Sequence, residues 1–221
     1  MIFNNNQLIL FFSLPFYPVI SPKKRLFLNG HIAVGIDGNV YQIFNPYLLD
    51  NDFLVSMMPI NEWLYNDANY VVNKNKESPY YKYVHLYKKS ELKRTTVFYC
   101  VLNNLNSQFI DNAKLYFNDI ENKFREKKIK FNIFNNNCSN LISNFFYQQN
   151  LLKKGIFDFI PFIFFKRLII FLKKNNLNFS TGVLFKIPNN YFKIRKFTLG
   201  LFSFNSEKSI LKWLIKYNFK L

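Results

Sequence analysis

Histidine and cysteine are nearly missing from this chain of 221 residues, with two of each. Two cysteines cannot build a disulfide framework, and a Cys100–Cys138 bridge has no further support in the sequence. No grouping of His, Cys and carboxylates has the spacing of metal ligands. Glycine is also scarce, at six residues. Those in "IDGN" and "GVLFK" stand alone and make no phosphate-cradling loop. Long apolar runs are absent too. No stretch reaches the ~18 uncharged apolar residues of a membrane span. The nearest, "IFDFIPFIFFKRLIIFL", is interrupted by Asp158, Lys166 and Arg167. The opening "MIFNNNQLILFFSLPFYPVISPKK" lacks a basic leader and a small-residue cleavage site, and it is broken by Pro15 and Pro18. It reads as a strand and not as a signal peptide, and the location stays open, a cytoplasmic or membrane-associated one being compatible with this.

What the chain has in quantity is aromatic and basic. Aromatics make up 20% and hydrophobic residues 49%, with 28 phenylalanines, so a folded core is expected. Lys, Asn, Phe, Ile and Tyr together are also what AT-rich codons write, so composition alone carries no function. The placement of the net charge of +17 says more. Residues 151–221 hold fourteen Lys/Arg against Asp158 and Glu207, while residues 1–150 hold sixteen against eleven acids. A basic, aromatic segment attracts phosphates of anionic lipid or nucleic acid. No nucleic-acid-binding signature accompanies it. The chain divides into a core, residues 1–150, and a basic aromatic C-terminal extension, residues 151–221.

Periodicity predicts an α+β fold. "QLILFFSL" reads as a buried strand. "HIAVGI" and "NVYQIF" flank Asp-Gly, the signal of a tight hairpin. Residues 47–80 read as a loop region with short helices. "YKYVHLYK", "RTTVFYCVL" and "IKFNIF" read as strands. From Ser107 the residues Phe109, Ile110, Ala113, Tyr116, Phe117, Ile120 and Phe124 recur at helical spacing, with Asn106 or Ser107 as cap. Asn137 can cap a second helix, Cys138 to Gln149, that buries Leu141, Ile142, Phe145 and Phe146. Pro161 suits the first turn of a third helix. "GVLFKI" and "YFKIRKFTLGLF" are strand-like, and Ser206 can cap a last helix.

Cys138 therefore opens a helix, where unpaired N–H groups and the macrodipole lower a thiol's pKa. His31 begins an apolar strand, a rigid seat for a general base. Gln42 on the adjacent strand, or Asn45, could orient its ring. Asn136 and Asn137 suit an oxyanion site with the Cys138 amide, or equally turn and cap roles. Against this stands a plain reading in which Cys138 is a buried structural thiol. Cys100 reads as core, and His85 as a strand-face residue with no catalytic part.

"GHIAVGIDGNVYQIFNP" followed by "FNIFNNNCSNLISNFFY" resembles the circularly permuted papain-like thiol enzymes, among them the NlpC-like, LRAT-like and PPPDE groups. The layout across residues 7–150 is closest to the N-terminal domain of the lipoprotein N-acyltransferase Lnb and its uncharacterised relatives. The resemblance implies an antiparallel sheet packed on the cysteine helix. It maps Cys138 onto the nucleophile, His31 onto the base and Gln42 onto the second polar position. In LRAT-like members that last position is histidine; glutamine can orient a ring but cannot titrate. The function expected is a cysteine hydrolase or acyltransferase acting on an amide, ester or thioester, with no cofactor needed. Its partners would be a peptide, lipid or acylated substrate and an anionic membrane surface, ahead of nucleic acid. The alternative is a non-catalytic module of the same fold, binding a membrane surface or nucleic acid through the basic extension. A membrane-associated structural protein would instead show residues 160–174 exposed and apolar.

Overall fold

The computed structural model describes residues 6–13, 31–44, 54–60, 63, 97–130, 132, 134–183, 198–199, 202–203 and 216. The expected strand at 81–88 and the cap at Ser206 lie outside them. The architecture is α+β. Six antiparallel strands form one sheet: β1 (Leu8–Ser13), β2 (His31–Ile36), β3 (Asn39–Phe44), β4 (Leu54–Pro59), β5 (Val97–Leu102) and β6 (Phe179–Val183). Their order is β4-β3-β2-β1-β5-β6, so β1 lies in the interior between β2 and β5. Among the described residues, β5 is followed by the helices α1 (Ser107–Arg125), α2 (Cys138–Gln148) and α3 (Pro161–Lys174). A two-residue ladder, β7 (Thr198–Leu199) with β8 (Phe202–Ser203), stands as a second sheet.

The β2–β3 hairpin turns at Asp37 and Gly38, both with positive φ (48° and 73°), as a tight turn between right-twisted strands requires. Lys114 of α1 forms an ion pair with Asp37 and ties the turn to that helix. Each helix starts where its residues dictate. The Asn106 side chain accepts the Phe109 N–H at 2.7 Å, Asn137 accepts from Ser139 and Asn140 at 2.9 Å, and Pro161 occupies the first turn of α3.

One face of the sheet carries Leu8, Leu10, Phe12, Ile32, Val34, Phe98 and Cys100 against the buried stripes of the helices. Phe117, Phe145, Phe146, Phe164 and Phe165 fill the space between. Seven residues of α3 are buried, and β6 pairs with β5. Residues 161–183 thus belong to the same core and the same sheet as residues 1–150. The buried α3 also removes the apolar exposure that a structural membrane role would need at 160–174. The other face, with Ile9, Phe11, Ala33, Val40 and Val97, is buried beneath Ile60 and Trp63.

Two expectations fail. "LVSMMP", inside the region read as a loop with short helices, is strand β4 and pairs with β3 along its length. "IKFNIF" makes no strand among its described residues. It turns instead at an isolated bridge between Asn132 and Asn136, because the Asn132 side chain accepts the backbone N–H groups of Phe134 and Asn135. Among the described residues, no helix is long and apolar enough to cross a membrane.

Candidate functional site

The site forms where β2 leaves β3. Their paired register ends at Ala33–Gln42, while β2 continues on β1 as far as Ser13–His31. His31, Ala33 and Gly35 share the face that carries Trp63, because side chains alternate along a strand. Gln42 lies on that same face and is 2% exposed. Its Oε1 accepts the Trp63 indole N–H at 2.7 Å and stands 3.3 Å from His31 Nε2. An indole nitrogen only donates, so Trp63 fixes the oxygen end of the Gln42 amide at this point. A bond from His31 to that oxygen then needs the proton on Nε2. The basic lone pair of the neutral ring lies on Nδ1. Gln42 is thus a ring-orienting partner in geometry, and Trp63 is the residue that holds it.

Trp63 was not legible as part of this constellation. It follows β4 in a segment read as loop, and its partner Gln42 is 21 positions away. The only local signal was a tryptophan in a polar stretch.

Cys138 is the first residue of α2, next to its Asn137 cap. The helix lies on the opposite sheet face, and the Cys138 sulfur reaches the backbone N–H of Ile32, the amide that follows His31. Ser139 and Cys138 contribute two further amides. The thiol and the imidazole are therefore brought to one strand end, from opposite faces of β2. Burial pushes the Cys138 thiol up to about 11, against the pull of these three amides. The lowering expected from the helix N-terminus is outweighed, because the sulfur gives up more hydration than the amides return. Both thiols are free, and Cys100 is fully buried in β5.

Asn136 and Asn137 are committed to structure. The Asn136 side-chain amide donates to the Lys130 carbonyl at 3.1 Å. That of Asn137 donates to the Phe159 carbonyl at 2.8 Å while its oxygen caps α2. Ser139 Oγ donates to the Asp158 carbonyl at 2.6 Å. The link between α2 and α3 is thereby clasped by the residues on either side of Cys138. Asp158, which the sequence offered only as an interruption of an apolar run, locks this link. Its carboxylate is 2% exposed, pairs with Arg167, accepts from Tyr147 and takes the Gly155 N–H at 3.0 Å. A Cβ at Gly155 would run into the Arg167 guanidinium and push it off Asp158.

Compared with protein-family models, with curated proteins and with solved structures, the chain finds no match. Its chemistry has to be read from its own residues.

Proposed function

We propose that the chain is a cysteine-dependent hydrolase or acyltransferase with a permuted papain-like arrangement, working through an acyl-enzyme on Cys138. The observation that carries this reading is the buried Trp63–Gln42–His31 chain of polar side chains, ending beside the strand amide that faces the Cys138 sulfur. Burying three polar groups in an apolar face is costly unless they satisfy one another by hydrogen bonds, as Trp63, Gln42 and His31 do, and the result is a ring held in one orientation.

In the proposed cycle the His31 ring, which sits at the end of β2, swings past the strand end toward the Cys138 side, and its Nδ1 takes the thiol proton as the sulfur bonds to the carbonyl carbon of an amide, ester or thioester. Collapse of the adduct breaks the bond to the leaving group, which leaves with the proton from His31. Water or an acceptor amine then attacks the thioester and gives its proton to His31, which returns it to the departing sulfur and so regenerates the thiol and the neutral ring. A thiol held neutral until substrate arrives fits proton transfer in concert with attack better than a standing thiolate. The Ile32, Ser139 and Cys138 amides are the donors available to the sulfur.

The burial that raises the Cys138 thiol favours a second reading, a non-catalytic module of the same fold. Site-resolved alkylation by iodoacetamide against pH, in the wild type and in His31→Ala, separates the two. Catalysis predicts a reactive limb in the neutral range that disappears in His31→Ala, beside an alkaline limb near about 11 that persists. An alkaline limb alone in the wild type ends the catalytic reading and leaves the module, to be tested by lipid and nucleic-acid binding.

A further inference from the structure

The described surface beside the Cys138 helix start carries apolar residues that the core does not use. Ile156 is 88% exposed, Phe134 60% and Phe157 44%. Phe134 and Phe157 meet on Phe159, and Ile156 precedes Phe157 in the same link. The Phe134 ring lies 5.4 Å from that of Phe159, and Phe157 lies 6.3 Å from the same ring, centroid to centroid. Single exposed apolar side chains need no explanation, but a contiguous group at the tip of a link does. The link that presents it is not slack. Asp158, Arg167 and Gly155 brace it from below, and Asn137 and Ser139 grip its carbonyls.

The exposed charge on the segments that carry the patch is almost all of one sign. The two segments that build it, 127–137 and 153–159, contain Lys127, Lys128, Lys130, Lys153 and Lys154 and a single carboxylate, Asp158. All five lysines are exposed, while Asp158 is buried on Arg167. Lys128 is partly neutralised by Glu126 at 2.6 Å. Lys130 lies four residues before Phe134, its carbonyl held by Asn136, and Lys153 and Lys154 lie just before Ile156 and Phe157, the Lys153 carbonyl held by Arg167 at 2.9 Å.

We propose that Phe134, Ile156 and Phe157, ringed by Lys130, Lys153 and Lys154, dock the protein on an anionic lipid surface. The apolar tips enter the acyl boundary and the ammonium groups meet the headgroup phosphates. An aliphatic apex favours lipid over nucleic acid, whose bases would call for an open aromatic face and not for isoleucine. Asn137 caps the Cys138 helix and holds the Phe159 carbonyl of this same link, so docking sets the candidate site against the membrane. The docking itself does not depend on catalysis by Cys138.

The test is sedimentation of the full chain with vesicles of phosphatidylcholine, with and without phosphatidylglycerol. It uses the wild type, Ile156→Ser/Phe157→Ser and Lys153→Gln/Lys154→Gln. These residues are exposed, and thermal unfolding of each variant checks that the fold is kept. Binding is expected only to the phosphatidylglycerol vesicles, weakened on the order of tenfold by the apolar pair. The lysine pair should weaken it by roughly fivefold per residue, with loss at high salt. Wild-type chain that stays in the supernatant overturns the proposal. So does equal binding by the apolar variant, which would assign attachment to basic residues elsewhere. Displacement of the vesicles by single-stranded RNA that both variants bind less well would turn the patch into a nucleic-acid surface and likewise overturn it.

Discussion

The two cysteines occupy opposite kinds of environment within one fold. Cys100 stands in β5, fully buried in the face that packs on the helices, and burial alone drives its thiol far above the usual range. Cys138 stands at a helix start, half-buried, with burial opposed by three backbone amides. Both are disfavoured as thiolates, yet only one has donors already aimed at the sulfur. Burial therefore raises both thiols and does not by itself tell the two environments apart. What separates them is whether the surroundings offer anything to the charged form.

That contrast can be broken most forcefully from beneath Cys138. Arg167→Ala leaves the Asp158 carboxylate buried without its cation. Arg167 is a third exposed, so the loss should fall at the lower end of the buried-pair range, about 3 kcal/mol by urea unfolding. Alkylation of Cys138 should change with it, through the loosened grip on Asn137 and Ser139, while Cys100 stays inert. Equal changes at both thiols would show that the link braces the whole fold and not the helix start.

The next effect sharpens the contrast directly. Cys100→Ser places a hydroxyl in an apolar core and should cost about 1–3 kcal/mol. Cys138→Ser, beside ready backbone amides, should cost below about 1 kcal/mol. The pH dependence follows the same division. Each thiol's pKa is raised on folding, so the folded chain holds the proton more tightly than the unfolded one. That stability is complete below the free thiol value of ~8.5 and is lost as pH rises through the folded value, about 11 for Cys138. Unfolding midpoints at alkaline pH should fall less steeply in either serine variant. Parallel curves for wild type and both variants would refute the assigned environments.

An intermediate effect, between those of the two serine variants, is expected at the cap. Asn137→Ala removes two capping bonds and the tie to Phe159 and should destabilise by about 1–2 kcal/mol. Asn137→Asp should restore the cap but not the tie, which divides the two contributions in a thermal unfolding series.

Local chemistry explains which features were readable in advance. Asp37-Gly38, the Asn caps and Pro161 act within a few residues, so the hairpin and the starts of α1, α2 and α3 were legible. The 3.6-residue spacing named the buried stripe of α2. Strand β4 was hidden because its pairing with β3, and not its own composition, makes it a strand. The turn at 132–136 was missed because asparagine side chains outcompete a strand ladder for nearby N–H groups. In the candidate site, His31 and Gln42 could be paired from their places on a hairpin. Trp63 and Asp158 could not, since each acquires its role only through contacts formed by the whole fold. The direction of the Cys138 shift was misjudged for the same reason: a helix start is visible in sequence, but the crowding around it is not.

The position of β1 shapes how the chain comes together. Its five apolar residues, Leu8 to Phe12, lie in the middle of the sheet and are covered on both faces. One neighbour, β2, follows within a short stretch, but the other, β5, pairs Leu102 with Leu8 from far along the chain. During synthesis an uncharged, aromatic strand thus waits with one edge open while many residues are made. Such a strand is a template for pairing with other copies. Yield of soluble protein should therefore depend on how quickly residues 97–102 arrive, and slower growth or chaperone supply should matter more for this chain than its final stability would suggest.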